Sequence, residues 1–330
     1  MSQCETEKPT TVASSRWTYL ENMTENVIII PGSCEIINML KERSFDTGEA
    51  TLNYAEGPDS GPPLVMLHGL TDCWQFFLPI IPQLSQRWHI YAVDFRGHGG
   101  SSRSPPYRYI DHINDATAFL ENVPEETPIV YGASLGGMIS LMVAARCPDL
   151  VRALIFGDAN IKIGKVRNVM RDYHTFWSGW ERIAGLDATI KELVTEVAEM
   201  PIEIPWRPPG RYGDGLDYIA ILNKATYLSR LDPAVLTDWA RGGSDDEAYR
   251  RVTTGYDEET VSKIACPVLL MQGNMDKGAI LEDDEVEYAL SKIPGARHVY
   301  IEEHGHNLGL YAWDTDRLLQ AVNIFLESFR

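Results

Sequence analysis

The sequence has few features of a secreted, membrane or nucleic-acid-binding protein. Its five cysteines, Cys4, Cys34, Cys73, Cys147 and Cys266, are scattered and include no CxxC pair. Neither a disulfide framework nor a zinc site is indicated, and they read as buried or incidental thiols. No run approaches the roughly 20 apolar residues of a membrane span. The opening MSQCETEKPTTVASSRW is polar and lacks the apolar centre of a signal peptide, so it reads as a loose tail and a cytoplasmic location is expected. Basic residues are in the minority, 29 Lys and Arg against 47 Asp and Glu, a formal charge of −18. That balance repels phosphate backbones and anionic lipid, so neither nucleic acid nor a membrane is an expected partner. Internal repeats and low-complexity tracts are absent.

What the chain does have is length and an alternating pattern. Its 330 residues, 44% apolar and 23% charged, suffice for one large α/β domain or a domain with an insertion. Short apolar runs alternate with helical patterns, which implies a mainly parallel sheet covered by helices. Strands are expected in EATLNYAEG (49–57), PLVMLHG (63–69), WHIYAVDFRGHG (88–99), PIVYGAS, VRALIFGD, CPVLLMQG (266–273) and RHVYIEE (297–303). Helices are expected in WQFFLPIIPQLSQR, broken or delayed by Pro79 and Pro82, then in YIDHINDATAFLENV, LGGMISLMVAARCP and TDRLLQAVNIFLESF. The acidic run EDDEVE (282–287) suits the start of a solvated helix.

After Asp158 the rhythm changes. Residues 160–255 hold no convincing buried strand but do hold an amphipathic helix, LDATIKELVTEVAEM, with Leu186, Ile190, Leu193, Val194 and Val197 on one face. The loop IPWRPPGRYGDG lies in the same block. The organisation read from this is an N-terminal extension over 1–45, a core formed by 46–159 and 256–330, and an inserted helical cap over 160–255. The stretch 20–46, with NVIIIPG, is left open as an extra helix or strand.

The most informative stretch is VYGASLGG (130–137), which places Ser134 between small residues where a strand gives way to a helix. A serine hydroxyl is a weak nucleophile and must be lifted clear of the sheet beside a general base and oxyanion donors. A sharp strand-to-helix turn does this and tolerates almost no bulk two residues to either side, the places taken by Gly132 and Gly136. The amide of Leu135, at the helix start, is the natural first oxyanion donor.

With HGLTD (68–72), DFRGHGGS (94–101), GASLGG (132–137) and a late Asp followed by a late His, the chain resembles the α/β-hydrolases of the esterase, lactonase and perhydrolase type over about residues 46–330. The resemblance implies a mostly parallel central sheet flanked by helices, with an inserted helical cap. It makes Leu70 the second oxyanion donor beside Leu135 and gives His68, Asp94, Arg96 and His98 bracing roles. A base is needed after the last strand, where His304 and His306 are candidates, since His298 lies inside a strand. The family's Gly-His pairing favours His306 and leaves His304 either to line the pocket or, the preferred reading, to lie at the surface. The family position for the acid, past the turn at Gly273, falls on Asp276; Asp158, after the preceding strand, is the alternative.

The expected activity is that of a carboxylesterase acting through an acyl-enzyme at Ser134, on a small-molecule ester or lactone, with no cofactor and no metal. Lactonase and carbon–carbon bond hydrolase are alternatives within the fold, although no extra polar groups of the latter are apparent. From another class, the alternative is a slow-turnover receptor for a small ligand. The serine argues against relatives that carry an aspartate at this turn. Tyr173, Phe176, Trp177, Trp180 and Trp206 are candidates for an apolar substrate pocket, and each could equally pack the cap's own core.

Overall fold

A computed structural model describes residues 40–329. The stretch NVIIIPG and the expected extension up to residue 39 lie outside the described residues. Ten strands occur in chain order among them: β1 Lys41–Asp46, β2 Thr51–Glu56, β3 Pro63–Leu67, β4 His89–Val93, β5 Ile129–Ala133, β6 Ala153–Gly157, β7 Pro201–Ile204, β8 Arg207–Arg211, β9 Val268–Gly273 and β10 Arg297–Ile301. Eight form one sheet in the order β1-β2-β4-β3-β5-β6-β9-β10. The six from β4 to β10 run parallel, while β1 and β2 are antiparallel. This is the α/β-hydrolase architecture.

The middle strands β3, β5, β6 and β9 are buried at every residue. A parallel sheet covered on both faces requires this, and it explains why they read as continuous apolar runs rather than alternating ones. Helices supply the cover: α1 Ile81–Leu84, α2 Tyr109–Asn122, α3 Leu135–Arg146, α4 Ile163–Asp172, α5 His174–Ala184, α6 Ile190–Glu199, α7 Tyr218–Ser229, α8 Ala234–Gly242, α9 Asp246–Thr253, α10 Asp283–Lys292 and α11 Asp316–Leu326. Of these, α3 is buried along nearly its whole length. None of the described helices is long and apolar enough to cross a membrane.

Three local expectations are corrected. The boundary placed at residue 45 falls inside β1, which pairs with β2 from Lys41 against Glu56 to Asp46 against Thr51. Its sequence KERSFD is mostly exposed at the sheet edge and carries no apolar alternation to reveal it. WQFFLPIIPQLSQR gives a 3-10 turn, Trp74–Phe77, and the single turn α1, as expected where Pro79 and Pro82 interrupt helical bonding. Between β6 and β9, the expected loop around Trp206 is an antiparallel hairpin of β7 and β8, separate from the main sheet. The helix expected from Leu186 begins only at Ile190, and its buried face is narrower than expected: Leu193 and Val197 are buried, whereas Ile190, like Leu186 ahead of the helix, is exposed.

Candidate active site

Parallel strands of this sheet end on one edge, and the residues following β3, β5, β6 and β9 converge there. Ser134 sits between β5 and α3 at φ 53° and ψ −120°, a left-handed conformation strained for a residue with a side chain. The surroundings enforce it. A Cβ on Gly136 would lie 2.0 Å from the carbonyl oxygen of Leu67, and one on Gly132 would lie 2.3 Å from that of Gly136. Strand and helix cannot approach this closely with any larger residue. The Ser134 amide donates to Gly157 O at 2.9 Å and the Gly136 amide to His68 O at 3.0 Å. Among the described residues, the Leu135 amide between them donates to no protein acceptor, and neither does that of Leu70.

His306 lies over the serine: its Nε2 is 2.9 Å from Ser134 Oγ and its Nδ1 is 2.7 Å from Asp158 Oδ2. The matching tautomer carries its proton on Nδ1, so that Nε2 can accept from the hydroxyl. Asp158, buried after β6 at φ 30°, also accepts from the amides of Gly273 at 3.1 Å, Ile280 at 3.0 Å and Leu281 at 3.4 Å. The expectation that Asp276 partners the histidine is therefore corrected. Asn274 caps the short turn Met275–Lys277 by accepting from the Asp276 amide, which leaves Asp276 exposed and away from His306. His304 pairs instead with Asp314 at 3.3 Å, and His298 faces Gln272 at 2.9 Å.

The loop after β3 is held by buried polar groups. His68 donates from Nδ1 to Gly69 O at 2.7 Å and accepts at Nε2 from the Phe95 amide at 3.1 Å. Burial drives its pKa down to about 3, so it is neutral. Asp94 accepts from the amides of Trp74 and Gly100 and from Asn53, while Arg96 forms a two-pronged pair with Asp115 at 2.5 and 2.6 Å. His98 lies between the carbonyls of Arg96 and Leu70, at 2.9 and 2.7 Å. His68, Asp94 and His98 tie one loop to another, Arg96 ties its loop to α2, and none of the four hydrogen-bonds to Ser134.

A cavity of about 500 Å³ opens above Ser134 and His306. Tyr173, Phe176, Trp177, Trp180 and Trp206 all line it, with Trp239 and Tyr212 from the same inserted segment. Phe176 and Trp180 also stack on each other at 4.7 Å, so these aromatics serve the cap's packing and the cavity wall together. Sequence reasoning missed a polar group in this wall: Thr71, Asp72 and Tyr311 from the core, and Lys224 from α7. The one available signal was a lysine inside the apolar run YIAILNKATYLS, and nothing in the sequence pairs it with a residue 152 positions away. Among the described residues, no cluster of His, Cys, Asp or Glu could hold a metal ion.

Comparison with known proteins agrees with this fold. The family model of the alpha/beta hydrolase fold matches residues 62–312. A 2-(acetamidomethylene)succinate hydrolase of Mesorhizobium japonicum is 27% identical over 286 residues, 82% of this chain and 92% of that protein. A pimeloyl-[acyl-carrier protein] methyl ester esterase of Neisseria meningitidis is 35% identical over 97 residues, 29% of this chain and 36% of that protein. Among solved structures, a carboxylesterase from Bacillus subtilis superposes with a TM-score of 0.61 at 19% identity, covering 88% of this chain and 93% of that one, which is a likeness of fold.

Proposed function

This chain belongs to the α/β-hydrolase family, and from that premise we propose that it cleaves a carboxylic ester, open-chain or cyclic, through an acyl-enzyme on Ser134. The observation that carries the reading is the continuous relay Ser134–His306–Asp158, with steps of 2.9 and 2.7 Å, at the floor of a largely apolar cavity. Nε2 of His306 takes the proton as Ser134 Oγ attacks the carbonyl carbon, and Asp158 steadies the imidazolium through Nδ1–H. The amides of Leu70 and Leu135 receive the oxyanion. His306 then returns the proton to the leaving alkoxide. Water, deprotonated by the same imidazole, attacks the acyl carbon and frees Ser134.

The similarity to a methyl ester esterase supports an ester substrate, and the aromatic walls favour an acyl or alcohol group of moderate size. A panel of p-nitrophenyl esters and small lactones tests the reading, combined with fluorophosphonate labelling and with Ser134→Ala as control. Turnover and labelling that both vanish in the variant are expected. A serine that reacts with neither ester nor fluorophosphonate would sink it.

A further inference from the structure

The proposed reaction leaves unused an ion pair set into the cavity wall beside the serine. Lys224 is 1% exposed and the Asp72 side chain 9%. Lys224 Nζ donates to Thr71 Oγ1 at 2.7 Å, Asp72 Oδ1 at 3.1 Å and Thr71 O at 3.4 Å, and it lies 4.9 Å from the ring centres of both Trp180 and Tyr311. Three N–H groups meet three acceptors, so the ammonium has no donor left for a ligand. The Tyr311 hydroxyl donates to Asp72 Oδ1 as well. Both hydrogen bonds fall on one oxygen, and Oδ2 receives none from any described residue.

Gly69, bare of a side chain, leaves room for that second oxygen. A Cβ built on Gly69 would lie 2.7 Å from Asp72 Oδ2, 3.3 Å from Ser134 Cβ and 3.7 Å from Ser134 Oγ. The free carboxylate oxygen and the serine thus share the bare face of one glycine, next in sequence to Leu70, and Asp72, Leu70 and Ser134 line the same cavity. Burial pushes the Asp72 carboxyl up, but the Lys224 charge and the Tyr311 hydrogen bond outweigh it and hold the group below its ordinary value. A bare anion here would oppose an oxyanion forming nearby; Lys224 supplies the compensating charge. What the pair leaves exposed to a substrate is one acceptor.

We propose that Asp72 Oδ2 is an acceptor subsite for a hydrogen-bond donor on the substrate, an amide N–H or a hydroxyl, placed a few bonds from the scissile carbonyl. This deepens the ester-hydrolase reading and rests on it for the carbonyl, but the subsite itself is tested by binding alone. The probes are methyl N-octanoylglycinate and methyl octanoyloxyacetate, which differ in having N–H or O at one position. Their affinities are measured by calorimetry on Ser134→Ala, which does not turn them over.

The N–H ligand is expected to bind about tenfold or more tightly, the effect of one hydrogen bond to a charged acceptor. Adding Asp72→Asn should abolish or invert that preference, because the amide oxygen will face Lys224 and Tyr311 and turn its NH2 toward the ligand. If that variant fails to fold, the apolar pair Asp72→Leu with Lys224→Met is read instead, and the preference should fall to within about twofold. Equal affinities on Ser134→Ala, no binding of either ligand, or a preference that survives loss of the carboxylate would each overturn the subsite. Fluorophosphonate labelling of the unaltered protein keeps the two ideas apart: a labelled serine with equal affinities sinks the subsite alone, while an unlabelled serine sinks the esterase reading and leaves the affinities to decide the subsite.

Discussion

Asp158 Oδ2 stands 2.7 Å from His306 Nδ1, although the two residues are 148 positions apart and Asp276 is far closer in sequence. Strand order explains it: β6 and β9 are neighbours in the sheet, so a residue just past β6 reaches the loop after β10 as readily as one just past β9. Replacing Asp158 by Asn removes the acceptor that fixes the tautomer. Ester turnover is expected to fall by about 10⁴-fold in kcat. Asp276→Asn should remain within about twofold of the parent. A dead Asp276→Asn with an active Asp158→Asn would reverse the assignment.

The two late histidines are separated by their partners. His306 bridges Ser134 and Asp158, whereas His304 pairs with exposed Asp314. His306→Ala should lose at least about 10³-fold in kcat/KM, and His304→Ala no more than a few-fold, measured on the same p-nitrophenyl ester. Comparable losses in both variants would mean that His304 has a part in the chemistry.

Legibility followed the range of the interactions. The strand-to-helix turn at Ser134, the strand at PLVML and the Gly305-His306 pair are local: small residues at fixed offsets and uninterrupted apolar runs carry them. Partner choice is not local. Asp158 and Asp276 both follow strands that end on the same edge, and the sequence pattern does not encode which carboxylate the fold turns inward. The Asp72–Lys224 pair was hidden for the same reason, since one member follows β3 and the other lies in the inserted segment. The edge strand β1 escaped because exposed strands have little need of apolar alternation.

Close approach at the turn makes a sharp contrast between neighbouring glycines. A Cβ at 136 meets the backbone of Leu67 and His68, which cannot yield without moving β3; a Cβ at 137 meets the Ala159 methyl at 3.1 Å and Gly132 O at 3.2 Å, contacts that a shift of a few tenths of an ångström relieves. Both sites are helical, where Ala is favoured over Gly by about 1 kcal/mol. Gly136→Ala is expected to lower unfolding free energy by about 3 kcal/mol or more and Gly137→Ala by less than about 1 kcal/mol, from urea midpoints. Similar stabilities for the two would show that the strand and helix at Ser134 are looser than the 2.0 Å approach implies.

His68 gives the clearest pH dependence. Its hydrogen bonds use an Nδ1 donor and an Nε2 acceptor, which only the neutral ring can provide, and burial holds its pKa at about 3 against an ordinary value of about 6.5. Because the folded value lies below the unfolded one, the contribution is fully present above pH 6.5 and is lost as pH falls toward 3. At pH 5 the loss is about 2 kcal/mol. Asp94 acts in the opposite direction: burial raises its carboxyl to about 6, so acidification from pH 7 relieves a destabilising charge. A global melting curve therefore mixes these two with His98 and His112, whose values burial also lowers, and a signal from the ring itself is needed. Nitrogen-detected NMR of the imidazoles should show His68 as the Nδ1–H tautomer with constant shifts from pH 7.5 down to about 4.5. Titration of that signal near pH 6 would mean the loop after β3 opens to solvent, and the rigid placement of the Leu70 amide would fail with it.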